Sequence, residues 1–131
     1  MHWLAVALGG SLGAMTRYAL SSWMIRKFPM GTFFVNVAGC FLIGLILALS
    51  VKMDWPSPRV RAFLVGGFLG SLTTFSTFAY ESVILSKQES LSMGVLNLAA
   101  NLIVGLLFVW GGIVLGEAIA ASSIAEASLG E

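Results

Sequence analysis

Gly66-Gly67-Phe68-Leu69-Gly70-Ser71-Leu72-Thr73-Thr74-Phe75-Ser76-Thr77-Phe78-Ala79-Tyr80-Glu81 sits inside an apolar segment long enough to cross a membrane. It would make a poor continuous helix. Its three glycines weaken helical backbone, and the cluster of serine and threonine hydroxyls that follows competes for backbone hydrogen bonds. The stretch reads as a helix broken in two. The first half is expected to stop near Gly70, in the left-handed C-terminal conformation that glycine favours, and the second to start near Thr73 or Thr74, whose hydroxyls can cap free amides. Broken backbone at membrane depth survives only where it is buried or lines a polar cavity, so the break is a functional signal. The carbonyls ending the first half attract a cation and the amides opening the second attract an anion.

The composition around this stretch is that of a membrane protein. Of 131 residues 58% are hydrophobic and 10% charged, against about 25% charged in a soluble domain. Seven Lys and Arg against six Asp and Glu leave no basic face for a nucleic acid, so none is expected as a partner. Cys40, the single cysteine, lies in an apolar run, which excludes an internal disulfide and a Cys-rich metal site. His2, the single histidine, reads as an exposed terminal residue. The first apolar run has almost no charged residue before it and no small-residue cleavage pattern after it, and reads as a retained helix.

Four stretches have the length of a membrane span: residues 3–24, 32–51, 62–85 and 93–121. The expected fold is therefore an all-α membrane protein, a single four-helix domain over residues 1–131 with the third helix broken near mid-membrane. The connectors carry Arg26, Lys27 and Pro29, then Lys52, Asp54, Pro56, Pro58 and Arg59, then residues 86–90. Trp3, Trp23 and Trp55 fall near span ends, where an aromatic belt is expected. The tail after Gly116, with Glu117, Glu126 and Glu131, is expected to prolong the last helix and then fray. On one side lie Lys52, Arg59 and Arg61, and on the other Arg26, Lys27 and Lys87. Such a balance lets a chain insert both ways up, and two oppositely inserted copies can pair as an antiparallel homodimer.

Several polar residues stand in the spans. Arg17 costs several kcal/mol there unless it snorkels, pairs with Glu81 or meets a passing anion. Phe75 and Phe78 share a face of the second half-helix, where positive ring edges favour an anion without trapping it; core or lipid-facing packing is the plainer alternative. Thr74, Ser76 and Thr77 add hydroxyls beside them. Asn36, and Asn97 with Asn101 four residues apart, are neutral amides suited to replacing an anion's hydration shell or to interhelical hydrogen bonding. Ala5, Gly9 and Gly13, like Gly112 and Gly116, repeat at four-residue spacing and let helices approach closely. If the breaks of two antiparallel copies met on the twofold axis, their carbonyls would repel unless a cation sat between them.

The runs of residues 9–18 (GGSLGAMTRY), 31–41 (GTFFVNVAGCF) and 66–78 resemble the three signature stretches of the Fluc (CrcB) fluoride channels, in order and across essentially the whole chain. The Thr-Thr-Phe-Ser-Thr-Phe core is the specific part of the match. The resemblance implies a dual-topology homodimer in the cell inner membrane, with two antiparallel pores that let fluoride leave passively and so protect against its toxicity. It implies a central sodium ion on backbone carbonyls, by position those of Gly70 and Thr73. It assigns Phe75 and Phe78 to the aromatic pair, Asn36 to an anion donor, Arg17 to the vestibule and Glu81 to the region beside the pore. One departure is that residues 102–116 contain no hydroxyl, where the family tends to offer Tyr or Ser.

Two other readings compete. A small dual-topology multidrug exporter needs a carboxylate in the first helix, and no acid precedes Asp54. A membrane subunit that only packs against partners accounts for the glycines but not for the hydroxyl-rich break. No acid, base and nucleophile gather around Glu81, so no enzyme activity is expected.

Overall fold

The computed structural model describes residues 2–23 and 28–129, and among them there is helix and no strand. Met24, Arg26, Lys27 and Glu131 lie outside the described residues, as does the Trp23 side chain. The order is α1 (His2–Trp23), α2 (Met30–Met53), α3 (Pro58–Arg61), a π-helical stretch (Ala62–Leu69), α4 (Gly70–Leu72), α5 (Phe75–Gln88) and α6 (Leu91–Leu129). Three helical rods are long and apolar enough to cross a membrane: Met30–Met53, Pro58–Gln88 and Leu91–Ala127. Helix α1 has the length, but Gly9, Gly10, Ser11, Gly13, Thr16 and Arg17 dilute its apolar character.

Three boundaries differ from the sequence reading. The connector expected over residues 86–90 shrinks to Glu89 and Ser90, because α5 continues through Gln88. The last helix does not fray after residue 121 but continues to Leu129. Alanines at 118, 120, 121, 125 and 127 sustain it, and neither Gly nor Pro interrupts it after Gly116. The third rod begins at Pro58, with proline in the first turn where its missing N–H costs nothing, so Arg59 and Arg61 are helical. Arg61 Nη1 donates to Ser50 Oγ and ties this start to the end of α2.

Packing runs along two seams. Helix α1 lies on the π-helical stretch, and α2 lies along α6, with α5 packed on α6. In both long seams glycine sets the distance. A Cβ on Gly9 or Gly13 would strike the Phe63 or Phe68 carbonyl, and one on Gly44 or Gly112 would strike Val109 or Phe41. One cluster of buried apolar side chains gathers Val35, Leu69 and Leu72, with Ile43, Ile46 and Phe68 against them, and Val37, Leu49, Phe78, Leu85 and Ala120 are buried outside it. Most large apolar side chains instead face outward, Trp3, Leu106 and Trp110 among them.

Candidate functional site

The break lies near the middle of the third rod, three residues beyond Gly70. Gly70 keeps right-handed helical angles (φ −62°, ψ −27°) and the helix continues to Leu72. The reason is local. Thr73 turns its N–H (3.1 Å) and its hydroxyl (2.9 Å) onto the Leu69 carbonyl, which closes the last turn without a left-handed residue. Thr73 and Thr74 are then extended, and Thr74 caps α5 by accepting from the Thr77 N–H at 3.3 Å.

Asn36 holds the extended segment from α2. Its Oδ1 accepts from the Thr74 N–H at 2.8 Å and its Nδ2 donates to the Thr74 carbonyl at 3.1 Å, so both backbone groups of Thr74, freed by the break, are satisfied. The same Nδ2 donates to Asn101 Oδ1 at 3.0 Å. Asn101 Nδ2 donates to the Asn97 carbonyl (3.0 Å) and to Asn97 Oδ1 (3.3 Å). Asn97 Nδ2 donates to Ser82 Oγ at 2.9 Å and to the Phe78 carbonyl at 3.4 Å. All three asparagines are buried.

A cavity of about 370 Å³ opens beside the break, lined by Asn36, Thr74, Phe75, Phe78 and Asn101 among others, with Gly70 and Thr73 on its wall. The rings of Phe75 and Phe78 meet edge to face, centroids 4.9 Å apart at 75°. Phe78 is 5% exposed and Phe75 69%, so one ring is anchored and the other stands at the open side. A second cavity, about 310 Å³, is lined by Ala14, Arg17, Tyr18, Ser21 and Thr77. One lining residue of each meets the other: Thr74 Oγ1, from the first cavity, donates to Thr77 Oγ1, from the second, at 3.0 Å. Ser76 is exposed, its Oγ 3.4 Å from Thr74 Oγ1.

Arg17 and Glu81 stay apart. Glu81 Oε1 accepts from Thr32 Oγ1 at 2.7 Å, while Glu81 Oε2 and Arg17 Nε are buried without a hydrogen-bond partner. Thr32 and Ser82 were not among the sequence candidates. Thr32 pairs with an acid 49 positions away, a relation with no local signature. Ser82 had one, since it stands four residues after Phe78 and its hydroxyl donates to the Phe78 carbonyl at 2.7 Å. Among the described residues no group of three or more His, Cys, Asp or Glu could hold a metal ion.

A helical chain with outward apolar faces, a broken rod and a small cavity lined by residues of the break belongs to the class of small membrane proteins built around an interrupted helix. Residues 4–113 match the family model described as CrcB-like protein, Camphor Resistance (CrcB), and the chain belongs to that family. It is 45% identical over 126 residues to the fluoride-specific ion channel FluC of Acidobacterium capsulatum, covering 92% of this chain and all of the relative. Identity is 42% over 120 residues to FluC of Geotalea uraniireducens, covering 88% and 97% of the two chains. A third relative, fluoride-specific ion channel FluC 2 of Bacillus cereus, is also 42% identical over 120 residues, covering 88% and 98%. The relatives' names are those of channels, not enzymes.

Proposed function

We propose that this chain is a fluoride channel that lets the ion leave the cell passively, with the path crossing α5 at the break. Family membership supports the ion. The observation that carries the path is the Thr74–Thr77 hydroxyl contact, which links a lining residue of the first cavity to one of the second. Phe75 and Phe78 line the first cavity, where a ring edge suits an anion, Ser76 adds a hydroxyl, and Arg17 brings positive charge to the second cavity without a neutralising partner at Nε. Asn36 lines the first cavity while fixing Thr74. Glu81 stands beside the path, restrained by Thr32. Neutral donors strip an anion's water without holding it too tightly to leave.

In this reading the chain is one membrane domain with four crossings, α1 being the fourth, in the cell inner membrane. It works as an antiparallel, dual-topology homodimer within the lipid bilayer. Supporting this, the chain exposes 8456 Å², well above the roughly 6,700 Å² of a compact monomer of its mass. The excess is largely apolar side chains suited to lipid or a second copy. A sodium ion between two copies would rest on the carbonyls of Gly70 and Thr73. The last carbonyls of the first half have no partner within their helix, and only that of Leu69 is taken by Thr73. Oxygen donors of this kind suit a hard monovalent cation, whose charge would offset facing carbonyl dipoles.

The test is efflux from liposomes containing the purified protein, read with fluoride and chloride electrodes. Fast fluoride release with chloride retained is expected. Equal rates for the two ions, or none for fluoride, would overturn the reading. Reporter fusions at the C-terminus should be active on both sides of the membrane, and two lysines added to one loop should fix a single orientation.

A further inference from the structure

The hydrogen bonds behind the first cavity run in one direction. The Thr74 N–H donates to Asn36, Asn36 to Asn101, Asn101 to Asn97, Asn97 to Ser82, and the Ser82 hydroxyl to the Phe78 carbonyl. The series leaves α5 at the break, passes through α2 and α6, and returns to α5 one turn later at the residue that carries the anchored ring. An asparagine amide has two hydrogens. At Asn36 both are spent, on the Thr74 carbonyl and Asn101; at Asn101 both are spent on Asn97; at Asn97 both are spent on Ser82 and the Phe78 carbonyl. Asn97 is fully buried and Asn101 nearly so. Neither has an N–H left to offer an ion.

We infer that Asn97 and Asn101 are positioning residues: acting through Asn36, they hold the extended Thr74 in register with Phe78. The chain of bonds fixes the orientation of each amide, because flipping one would set donor against donor or acceptor against acceptor at both its neighbours. Aligned bonds in a buried site polarise and strengthen one another, so the loop resists opening as a unit. Its consequence is geometric. The ring pair and the Thr74 hydroxyl keep their spacing although no continuous helix spans residues 73 and 74.

The transport half of this inference rests on the channel reading above, and the experiment separates the two. Hydrogen exchange at the Thr74 amide, resolved by NMR in the full-length protein, is compared between the unmodified chain and Asn101→Leu. That substitution keeps the branched heavy-atom shape and removes both donor and acceptor. Exchange at Thr74 is expected to accelerate about tenfold or more, with a similar fall in fluoride efflux. In an Asn36→Ala background the same change is expected to add nothing at Thr74, because the link is already cut. Efflux that falls while Thr74 exchange stays within about twofold of the unmodified chain would make Asn101 an ion contact and overturn the inference. A fresh acceleration in the Asn36→Ala background would also overturn it. If Asn101→Leu does not fold, Asn101→Ser keeps a shorter hydroxyl and is expected to accelerate exchange about threefold; no change there would again be decisive. Should the unmodified protein carry no fluoride, the channel reading fails alone and the Thr74 measurement still decides the positioning role.

Discussion

Before the break, the third rod touches its neighbour backbone to backbone along a series of glycines; after it, one such contact remains, Gly94 on the Ser82 carbonyl, and side-chain hydrogen bonds do the rest. In the first half Gly67 lies against the Val6 carbonyl and the Gly10 nitrogen, and Gly9 and Gly13 bring α1 down on Phe63 and Phe68. In the second half Thr74, Phe78 and Ser82 are tied to α2 and α6 through Asn36, Asn97 and Asn101. Steric contact of the first kind tolerates no added atom. Hydrogen bonding of the second kind tolerates changes of shape better than changes of polarity, because a buried unpaired donor costs about 1–3 kcal/mol. The first half is thus built to stay still, and the second to set polar groups at chosen positions.

The largest effect expected from this contrast is on the glycine seam. Gly13→Val puts a branched side chain against the Phe68 carbonyl and should cost about 3 kcal/mol or more, read as loss of folded protein on purification. Gly111→Ala is the control. A Cβ at Gly111 meets nothing, so the change should be neutral or stabilise helix α6 by about 0.5–1 kcal/mol. Its neighbour Gly112→Ala strikes the Phe41 carbonyl and should destabilise clearly. Equal melting behaviour for the two adjacent alanine variants would break the steric account of these seams.

Next in size are changes of polarity at the second half. Phe75→Ile keeps bulk but removes the positive ring edge, and because Phe75 is largely exposed its effect on stability should be small. Fluoride efflux should nevertheless fall at least about tenfold, the direction packing alone would not give. Phe78→Ile should lose both efflux and some stability, since that ring is buried. Asn36→Asp replaces the donor to the Thr74 carbonyl and to Asn101 with a charged acceptor, and efflux should fall further. Near-normal efflux through all three would place the path elsewhere.

The same contrast explains what could be read in the sequence. The hydroxyl-rich break was legible because glycine and threonine act locally, and the face shared by Phe75 and Phe78 follows from their spacing. Gly70 misled: a left-handed glycine is one way to end a helix, but Thr73 closed the turn with two bonds to one carbonyl. The π-helical stretch carries no local signature, and its glycines are packed against α1. Asn97 and Asn101 were visibly on one face; that Asn36, 65 positions away, would take up Asn101 was not. Helix α6 outlasts the expected fraying because its apolar span ends before its helix-forming residues do, alanines continuing to residue 127.

The smallest expected effect isolates one hydroxyl. Thr74 Oγ1 accepts from the Thr77 N–H at 3.3 Å and donates to Thr77 Oγ1 at 3.0 Å, so a single oxygen caps α5 and links a lining residue of one cavity to a lining residue of the other. Thr74→Ala removes both functions while Asn36 still holds the backbone N–H and carbonyl of residue 74, neither of which needs the side chain. Loss of the cap should cost about 0.5–2 kcal/mol of stability. Thr74→Ser keeps the oxygen and loses only a methyl, so stability and efflux should both stay close to those of the unmodified chain. If the oxygen serves only as a cap, restoring stability to Thr74→Ala by lowering the temperature should restore efflux with it. If the oxygen also lies on the path, efflux of Thr74→Ala should remain several-fold low in protein that is fully folded, and Thr74→Ser should conduct normally at every temperature.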